Sequence, residues 1–260
     1  MLCKGSLTGG GVSLAHIEIF GKHYDPGVVI FDKDGTLLDF KATWLGIIRE
    51  LIAAVIRRTH PSETLAYGMQ KALGVFIDER RIDGGGPLAM GTADEVNTVL
   101  ADCLYHEGLR WDKAQAVIKA AEQEVLKGPI RARNLCPAQG GIELLGRLKE
   151  RGIRTALATN DNQADAASDM QAIGALELLD LIVGADSVKQ TKPAPDMILL
   201  ICERLKLSPR QAAMVGDTLM DAQMGRNAGV LVNVGLSGTL SSTELATCTD
   251  VVIASLDQIR

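Results

Sequence analysis

The 260-residue sequence is poor in aromatic residues and carries no excess of positive charge. Aromatic residues make up 3% of the chain, so aliphatic side chains and alanine must fill the core. The formal net charge is -5, and there is no basic stripe of the kind that nucleic-acid-binding surfaces use. We therefore expect no nucleic-acid partner. A small phosphorylated substrate stays compatible with this charge, because a bound metal ion can reverse the local field.

Long apolar runs and paired cysteines are also missing. The longest apolar stretches, such as Leu51 to Ile56, fall far below the ~20 residues that a membrane-spanning helix needs. The first fourteen residues contain four glycines and lack the apolar segment of a signal peptide. The five cysteines, at positions 3, 103, 136, 202 and 248, form no C-x-x-C pair and are odd in number. A disulfide framework is therefore not expected, and we predict a cytoplasmic protein with no membrane partner.

A block of helical periodicity interrupts the chain after its first apolar strand. The predicted helices run from Trp44 to about Ile56, from Glu63 to Leu73, from a capping box at Thr92 and Glu95, and from a cap at Asp112 to about Leu126. The glycine-rich segment Arg80–Pro87 between the second and third helices is typical of a mobile loop. We predict linkers to this block near 40–43 and near 131–137.

The remainder alternates short apolar strands with helices. The predicted strands are Val28–Phe31, Thr155–Ala158, Leu181–Val183, Ala213–Val215, Leu231–Val234 and Val251–Ile253, with an additional strand at His16–Phe20. The predicted helices are Gly141–Arg151, Asp165–Ile173, Asp196–Leu205 and Asp221–Ala228. Strands separated by helices indicate βαβ units and a parallel sheet. We predict an α/β fold in which residues 1–43 and 131–260 form a core with a parallel sheet and residues 44–130 form an inserted helical domain.

Two acids follow the first predicted strand. Asp32 and Asp34 are two residues apart, so both would point to one side of an extended chain. Converging carboxylates repel each other unless a cation joins them, and a hard cation such as Mg²⁺ suits oxygen ligands. The alternative interpretation is a solvated loop that turns at Asp34 and Gly35.

Three further polar groups follow later strands. Thr159 and Asn160 could hold an anionic oxygen, Lys192 lies in a loop stiffened by two prolines, and Asp217 and Asp221 follow a glycine. Taken singly, these residues are equally compatible with helix caps and a solvated lysine. Taken together, they all follow parallel strands, whose carboxyl ends meet at one edge of the sheet. This set is what phosphoryl transfer through a covalent aspartyl phosphate needs.

The order of these motifs resembles the haloacid dehalogenase superfamily. Its first motif, D-x-D-G-T, is similar to residues 32–36, and its fourth, G-D-x-x-x-D, is similar to residues 216–221. Thr159 stands at the second motif, and Lys192, in the sequence K-P-x-P, stands at the third. A helical insert directly after motif one is typical of the capped branch, which includes phosphoglycolate phosphatase and β-phosphoglucomutase. The resemblance implies a doubly wound sheet under a mobile cap.

The resemblance also implies a role for each residue. Asp32 resembles the nucleophile and a Mg²⁺ ligand, and Asp34 resembles the general acid/base, with its backbone carbonyl on the metal. Thr159 and the amide of Asn160 would bind the phosphate, and Lys192 would neutralise Asp32 and the phosphoryl oxygens. Asp217 resembles the third protein ligand of the metal, and Asp221 would support it.

Asp34 decides between the reactions known in this superfamily. Ion-pumping ATPases place threonine there, dehalogenases a tyrosine-like replacement and phosphonate hydrolases alanine, so Asp34 favours phosphatases and mutases. Lys33 replaces the apolar residue that is common in phosphatases, and we expect it to face outward with no role. The interpretation is a Mg²⁺-dependent phosphatase of a small phosphorylated metabolite.

Three alternatives stay open. They are a β-phosphoglucomutase-type phosphomutase, a receiver domain, which the helical block argues against, and a non-catalytic binding protein, which the intact acids argue against. On the cap, Arg80, Arg81 or Lys113 could meet a substrate carboxylate, although solvated charges are the expectation for each.

Overall fold

The computed structural model describes residues 16–59, 62–127 and 129–260. The glycine-rich start and Cys3 lie outside the described residues. The four cysteines within them, at 103, 136, 202 and 248, are free thiols, as expected. No helix in the described ranges is both long and apolar enough to cross a membrane.

Within these described ranges, ten strands and eleven α-helices follow in chain order. The strands are β1 (Ile17–Ile19), β2 (Lys22–Tyr24), β3 (Val28–Phe31), β4 (Val75–Phe76), β5 (Arg81–Ile82), β6 (Arg154–Ala158), β7 (Leu181–Val183), β8 (Ala212–Gly216), β9 (Val232–Leu236) and β10 (Val251–Ile253). The helices are α1 (Phe40–Thr59), α2 (Leu65–Leu73), α3 (Pro87–Met90), α4 (Ala93–His106), α5 (Trp111–Leu126), α6 (Pro129–Asn134), α7 (Gly141–Glu150), α8 (Gln163–Ala172), α9 (Asp196–Leu205), α10 (Leu219–Ala228) and α11 (Ser242–Leu245).

Six of the strands form one parallel sheet in the order β10-β9-β8-β3-β6-β7. β3 lies in the middle, paired with β6 on one side and β8 on the other, and all of its residues are buried. Its alternate residues face two different cores: Val29 and Phe31 join one apolar cluster, and Val28 and Ile30 join the other. The predicted α/β doubly wound parallel sheet is confirmed, and it brings the carboxyl ends of β3, β6 and β8 together.

The helical block has a buried cluster of its own. Leu45, Ile48, Met69, Leu104 and Ile118, which lie on α1, α2, α4 and α5, pack together with other residues of the same block. The helical spacing noted in the sequence puts these side chains on one face of each helix. The block therefore has an apolar core separate from the two clusters that cover the sheet.

Several local predictions differ from the structure. α1 begins at Phe40 rather than Trp44, because Asp39 Oδ1 accepts a hydrogen bond from the Ala42 amide at 2.8 Å and caps the first turn. The segment 80–87, predicted as a loop, contributes β5 to an antiparallel β4–β5 pair and then the start of α3. The capping box at Thr92 and Glu95 is confirmed.

The predicted cap at Asp112 is wrong. Arg110 occupies the N-cap position of α5, and Asp112 lies in the first turn with its carboxylate 3.2 Å from the Arg110 guanidinium. An acid in a first turn still interacts favourably with the helix dipole, which explains why the residue type suggested a helix start. The residue type indicated a helix start correctly, but Asp112 is the second residue of α5 rather than its N-cap.

Candidate functional site

The site is built where β3 and β8 end side by side. The Asp32 amide donates a hydrogen bond to Val215 O at 2.9 Å, which continues the β3–β8 pairing by one residue and fixes where Asp32 leaves the sheet. Its side chain is 11% exposed. Asp32 therefore lies at the buried base of the sheet edge, with part of its carboxylate open to the space above.

Lys192 binds two of the acids. Its ammonium group donates to Asp32 Oδ1, and it lies 2.6 Å from Asp221 Oδ1. Burial opposes the charge on Lys192, yet the attraction of Asp221 and Asp32 outweighs it and raises the pKa of the lysine. The loop before α9 thus delivers a permanent positive charge to the nucleophile position predicted from the sequence.

Asp221 does two jobs in the site. Its Oδ2 accepts hydrogen bonds from the amide and the hydroxyl of Thr218, which form the capping box of α10. Its Oδ1 accepts from Lys192. Asp221 therefore ties the start of α10 to the lysine.

Asp32, Asp217 and Asp221 form a compact carboxylate cluster. One oxygen of each lies within 4.8 Å of the others, and all three residues are buried. Burial is the main cause that raises the pKa of Asp32, to about 7; Lys192 opposes it, and the neighbouring acids add to it. Burial and the charges of Asp32 and Asp221 also raise the pKa of Asp217 well above its usual value. The positive charge of Lys192 does not balance the three carboxylates, and a hard divalent cation suits their oxygen donors.

Two glycines make this close packing possible. A Cβ atom on Gly35, whose φ is +88°, would lie 2.0 Å from Asp217 Oδ2. A Cβ atom on Gly216 would lie 2.3 Å from Asp221 Cβ. The glycines of the first and fourth motifs therefore leave the room that the two carboxylates occupy.

Asp34 is not one of the three clustered acids and is held by two donors. Its Oδ1 accepts from the indole nitrogen of Trp44 at 3.1 Å, and its Oδ2 lies 2.7 Å from the Lys33 ammonium. One donor comes from the same strand end and the other from α1 of the helical block. The Asp34 carboxylate is therefore held in a set position two residues after Asp32 rather than in a fully solvated turn.

The expectation that Lys33 faces outward is wrong. Its side chain is 0% exposed, and its ammonium lies 3.0 Å from Asp161 Oδ2 and 2.9 Å from Asp169 Oδ2, besides the contact with Asp34. Burial opposes this charge, but the attraction of the three carboxylates outweighs it and raises the pKa of Lys33. Lys33 is therefore a buried cation at the centre of an ion-pair network.

Arg131 completes that network. Its guanidinium donates to both oxygens of Asp169, at 2.7 and 2.5 Å, and to Asp161 at 3.3 Å. Burial would raise the pKa of Asp169, but the charges of Arg131 and Lys33 hold it below its usual value. The network links α6 and α8 to the first motif.

The structure places Thr159 and Asn160 at the end of β6, beside the end of β3. Thr159 is buried, its amide donates to Val183 O at 3.1 Å, and its hydroxyl accepts from the Asp161 amide at 3.2 Å. Asn160 is exposed and lines the cleft above the acids. The sequence-predicted residues of all four motifs therefore line one cleft.

Sequence reasoning missed several contributors to the site. Trp44 was assigned to the apolar face of a helix, and the indole donor gave no separate signal. Thr239, whose hydroxyl donates to Asp217 Oδ2, follows the carboxyl end of β9. The rule that polar residues after parallel strands reach the same sheet edge would have found it.

The cleft lies between the sheet edge and the helical block and has a volume of about 380 Å³. That is within the usual range for small-molecule sites. The motif residues form its floor, and residues of α1, α3, α4 and α5 form its opposite wall. The arrangement suits a small molecule with one end held at the acids.

Comparisons with known proteins agree with this geometry. A family model described as haloacid dehalogenase-like hydrolase matches residues 26–229. "Probable phosphatase IndB" of Dickeya dadantii is 31% identical over 224 residues, which cover 84% of each chain. The phosphoglycolate phosphatase of Psychrobacter arcticus is 27% identical over 218 residues, covering 82% of this chain and 84% of the relative.

A solved structure shares the fold. The chain resembles a haloacid dehalogenase superfamily hydrolase of subfamily IA from Geobacter sulfurreducens, with 16% identity, a TM-score of 0.60 and coverage of 88% of this chain and 93% of the other. The family model spans the chain from β3 to α10, which includes the helical block and the acids at the ends of β3 and β8. The chain belongs to the haloacid dehalogenase-like hydrolase family, in its capped phosphatase branch.

Proposed function

We propose that the protein is a Mg²⁺-dependent phosphatase that hydrolyses a small phosphorylated metabolite through an aspartyl phosphate on Asp32. The observation that carries this proposal is the position of Asp32: its partly open carboxylate contacts Lys192 at the floor of the cleft and lies within a buried carboxylate cluster. A solvated strand end would show neither feature. Cytoplasmic location stays a prediction from the sequence.

The metal proposal rests on the donor set. We assign Mg²⁺ to Asp32, the backbone carbonyl of Asp34 and Asp217, with Asp221 in support, because the raised pKa values of Asp32 and Asp217 indicate a need for positive charge. When bound, the ion would supply Lewis-acid stabilisation of phosphoryl oxygens. In the structure the Asp221 carboxylate is already occupied by Lys192 and Thr218, which supports its place as an organiser of the site.

The proposed chemical steps use the roles that the superfamily resemblance implies for these side chains. An Asp32 oxygen attacks phosphorus in line while Asp34 donates its proton to the leaving alcohol oxygen. Lys192 balances the charge on Asp32 and on the phosphoryl oxygens, and Thr159 with the Asn160 amide holds the phosphate. Asp34 then takes a proton from water, which attacks the aspartyl phosphate and releases inorganic phosphate.

The helical block is assigned the role of a cap. We propose residues 44–130 as the cap domain and 1–43 with 131–260 as the core; the separate apolar cluster of the block and its place on the opposite wall of the cleft support this division. Trp44 connects the two parts, since its indole donates to Asp34. Closure of such a cap would exclude bulk water while Asp34 acts as an acid.

The test is a phosphate-release assay with an aryl phosphate and Mg²⁺. Turnover is expected from the wild-type chain and none from Asp32→Asn. A non-catalytic binding protein would give no turnover in either case. The phosphomutase alternative is tested by adding a sugar 1-phosphate with a bisphosphate primer. Release of free phosphate would support the phosphatase, whereas an isomerised sugar phosphate without free phosphate would show that the protein is a phosphomutase.

A further inference from the structure

The wall of the cleft that faces the acids is apolar. Its side chains come from the helical block and include Trp44, Ile47, Leu51, Leu88, Met90 and Leu126. A substrate whose phosphate lies at Asp32 must place its alcohol portion against these side chains. Burying apolar surface there is favourable at roughly 25 cal/mol per Å², whereas a charged group would lose its hydration.

Besides Thr92, whose hydroxyl belongs to the capping box of α4, two polar side chains interrupt this wall. Asn97 on α4 and Glu122 on α5 line the cleft, and neither makes a side-chain hydrogen bond to any other described residue. Asn97 offers a donor and an acceptor, while Glu122 offers only acceptors when ionised. A ligand group that donates a hydrogen bond, such as a hydroxyl or an ammonium, satisfies both.

Positive charge is scarce in the same cleft. Among the described residues that line it, Lys192 is the only lysine or arginine, and it is already bound to Asp32 and Asp221. The acids that line it are Asp32, Asp34, Asp161, Asp217, Asp221 and Glu122. A Mg²⁺ ion at the floor would offset part of this charge near the phosphate, whereas Glu122 lies on the opposite wall.

The three cap cations considered from the sequence do not line the cleft. Arg81 pairs with Glu79 at 3.1 Å and lies 3.8 Å above the Phe76 ring. Arg80 and Lys113 are exposed. A carboxylate or second phosphate on the alcohol portion would therefore have no cation to pair with and would face the Glu122 carboxylate.

From these observations we propose that the substrate is the phosphate monoester of an apolar alcohol that carries hydroxyl or amino groups and no second anionic group. The inference rests on the proposed phosphatase function and narrows it, with Glu122 and Asn97 as the residues that select the alcohol. Under this proposal a phosphorylated carboxylic acid such as phosphoglycolate is not the preferred substrate, although a relative is named phosphoglycolate phosphatase.

The experiment compares three aryl phosphates that differ only at a group far from phosphorus. The compounds are phenyl phosphates with a hydroxymethyl, an aminomethyl or a carboxymethyl group in the para position. The methylene weakens the electronic effect of each group on the phenol leaving group, and the Kd values described below do not depend on the leaving group. With Mg²⁺ at 0.15 M ionic strength, we expect kcat/KM for the carboxymethyl compound to fall at least about tenfold below that for the hydroxymethyl compound. The aminomethyl compound should equal or exceed the hydroxymethyl compound.

Binding is measured separately from turnover. In Asp32→Asn, which cannot form the phosphoenzyme, calorimetric titration with the same compounds should give the same order of Kd values. Glu122→Gln should reduce the ratio of kcat/KM for the hydroxymethyl compound to that for the carboxymethyl compound by about threefold or more, because the like charge is removed. The matched control is Gln123→Lys, which makes the same change in net charge one residue away on the exposed side of α5 and should leave the ratios unchanged.

The outcomes separate the inference from the function on which it rests. Equal or faster turnover of the carboxymethyl compound, or an unchanged ratio in Glu122→Gln, would overturn the substrate class while leaving the phosphatase intact. Absence of turnover with every aryl phosphate, including the unsubstituted one, would overturn the phosphatase and the substrate class together.

Discussion

Replacing Lys33 with methionine tests the buried network beneath the site. Lys33→Met keeps most of the side-chain volume but removes the cation that Asp34, Asp161 and Asp169 share. Breaking a fully buried ion pair by removing one partner costs about 3–5 kcal/mol. Of the three carboxylates left here, only Asp169 is buried to that degree, since Asp34 and Asp161 are 22% and 35% exposed. Arg131 still donates two hydrogen bonds to Asp169, so we expect the lower part of that range.

The assay is reversible urea unfolding, supported by thermal unfolding. A loss of about 3 kcal/mol corresponds to a decrease in Tm of roughly 6–12 °C for a domain of 150–250 residues. Lys189→Met is the control: Lys189 is exposed, and we expect its free energy of unfolding to change by no more than about 0.5 kcal/mol. If Lys33→Met loses less than about 1 kcal/mol, the buried network does not contribute as argued.

Three further predictions concern the metal, a glycine and the indole. Chelation with EDTA should abolish turnover, and Mg²⁺ should restore it. Increasing concentrations of Mg²⁺ should also raise Tm, because the ion binds only the folded state. A Tm that does not depend on Mg²⁺ would argue against the assigned site. Gly35→Ala should lose activity and stability, because its Cβ would overlap Asp217. Gly146→Ala is the control, since Gly146 lies on α7 with open space around it, and unfolding measurements should show no change or a stabilisation of about 0.5–1 kcal/mol. Trp44→Phe should lower kcat more than it raises KM, because Asp34 loses the donor to Oδ1; an equal kcat would contradict a positioning role.

The strands and the motif residues could be predicted from sequence because their signals are local. Val28–Phe31 is a continuous apolar run, and Asp32 follows it directly, so the strand end and the acid are read from neighbouring letters. Parallel strand order then places Lys192 and Asp217 at the same edge without any knowledge of tertiary contacts.

The burial of Lys33 could not be predicted in the same way. Its partners Asp161 and Asp169 lie far along the chain, on the other side of the helical block, and a lysine in a charged motif is usually solvated. The prediction that Asp112 caps α5 failed for a different reason, because acids favour the first turn of a helix as well as its N-cap. Long-range charge pairing and exact helix ends both depend on packing that local pattern does not encode.

The most direct test of the account is the fate of phosphate on Asp32. Intact-protein mass spectrometry after rapid mixing with aryl phosphate and Mg²⁺ would detect an added phosphoryl group. We expect it to accumulate on Asp34→Asn, because a good leaving group needs little help from the acid, whereas loss of the base should slow hydrolysis by on the order of 10²–10⁴-fold. Asp32→Asn should never carry the group and should not turn over. A phosphorylated Asp32→Asn, or wild-type turnover in that variant, would contradict the assignment of Asp32 as the nucleophile.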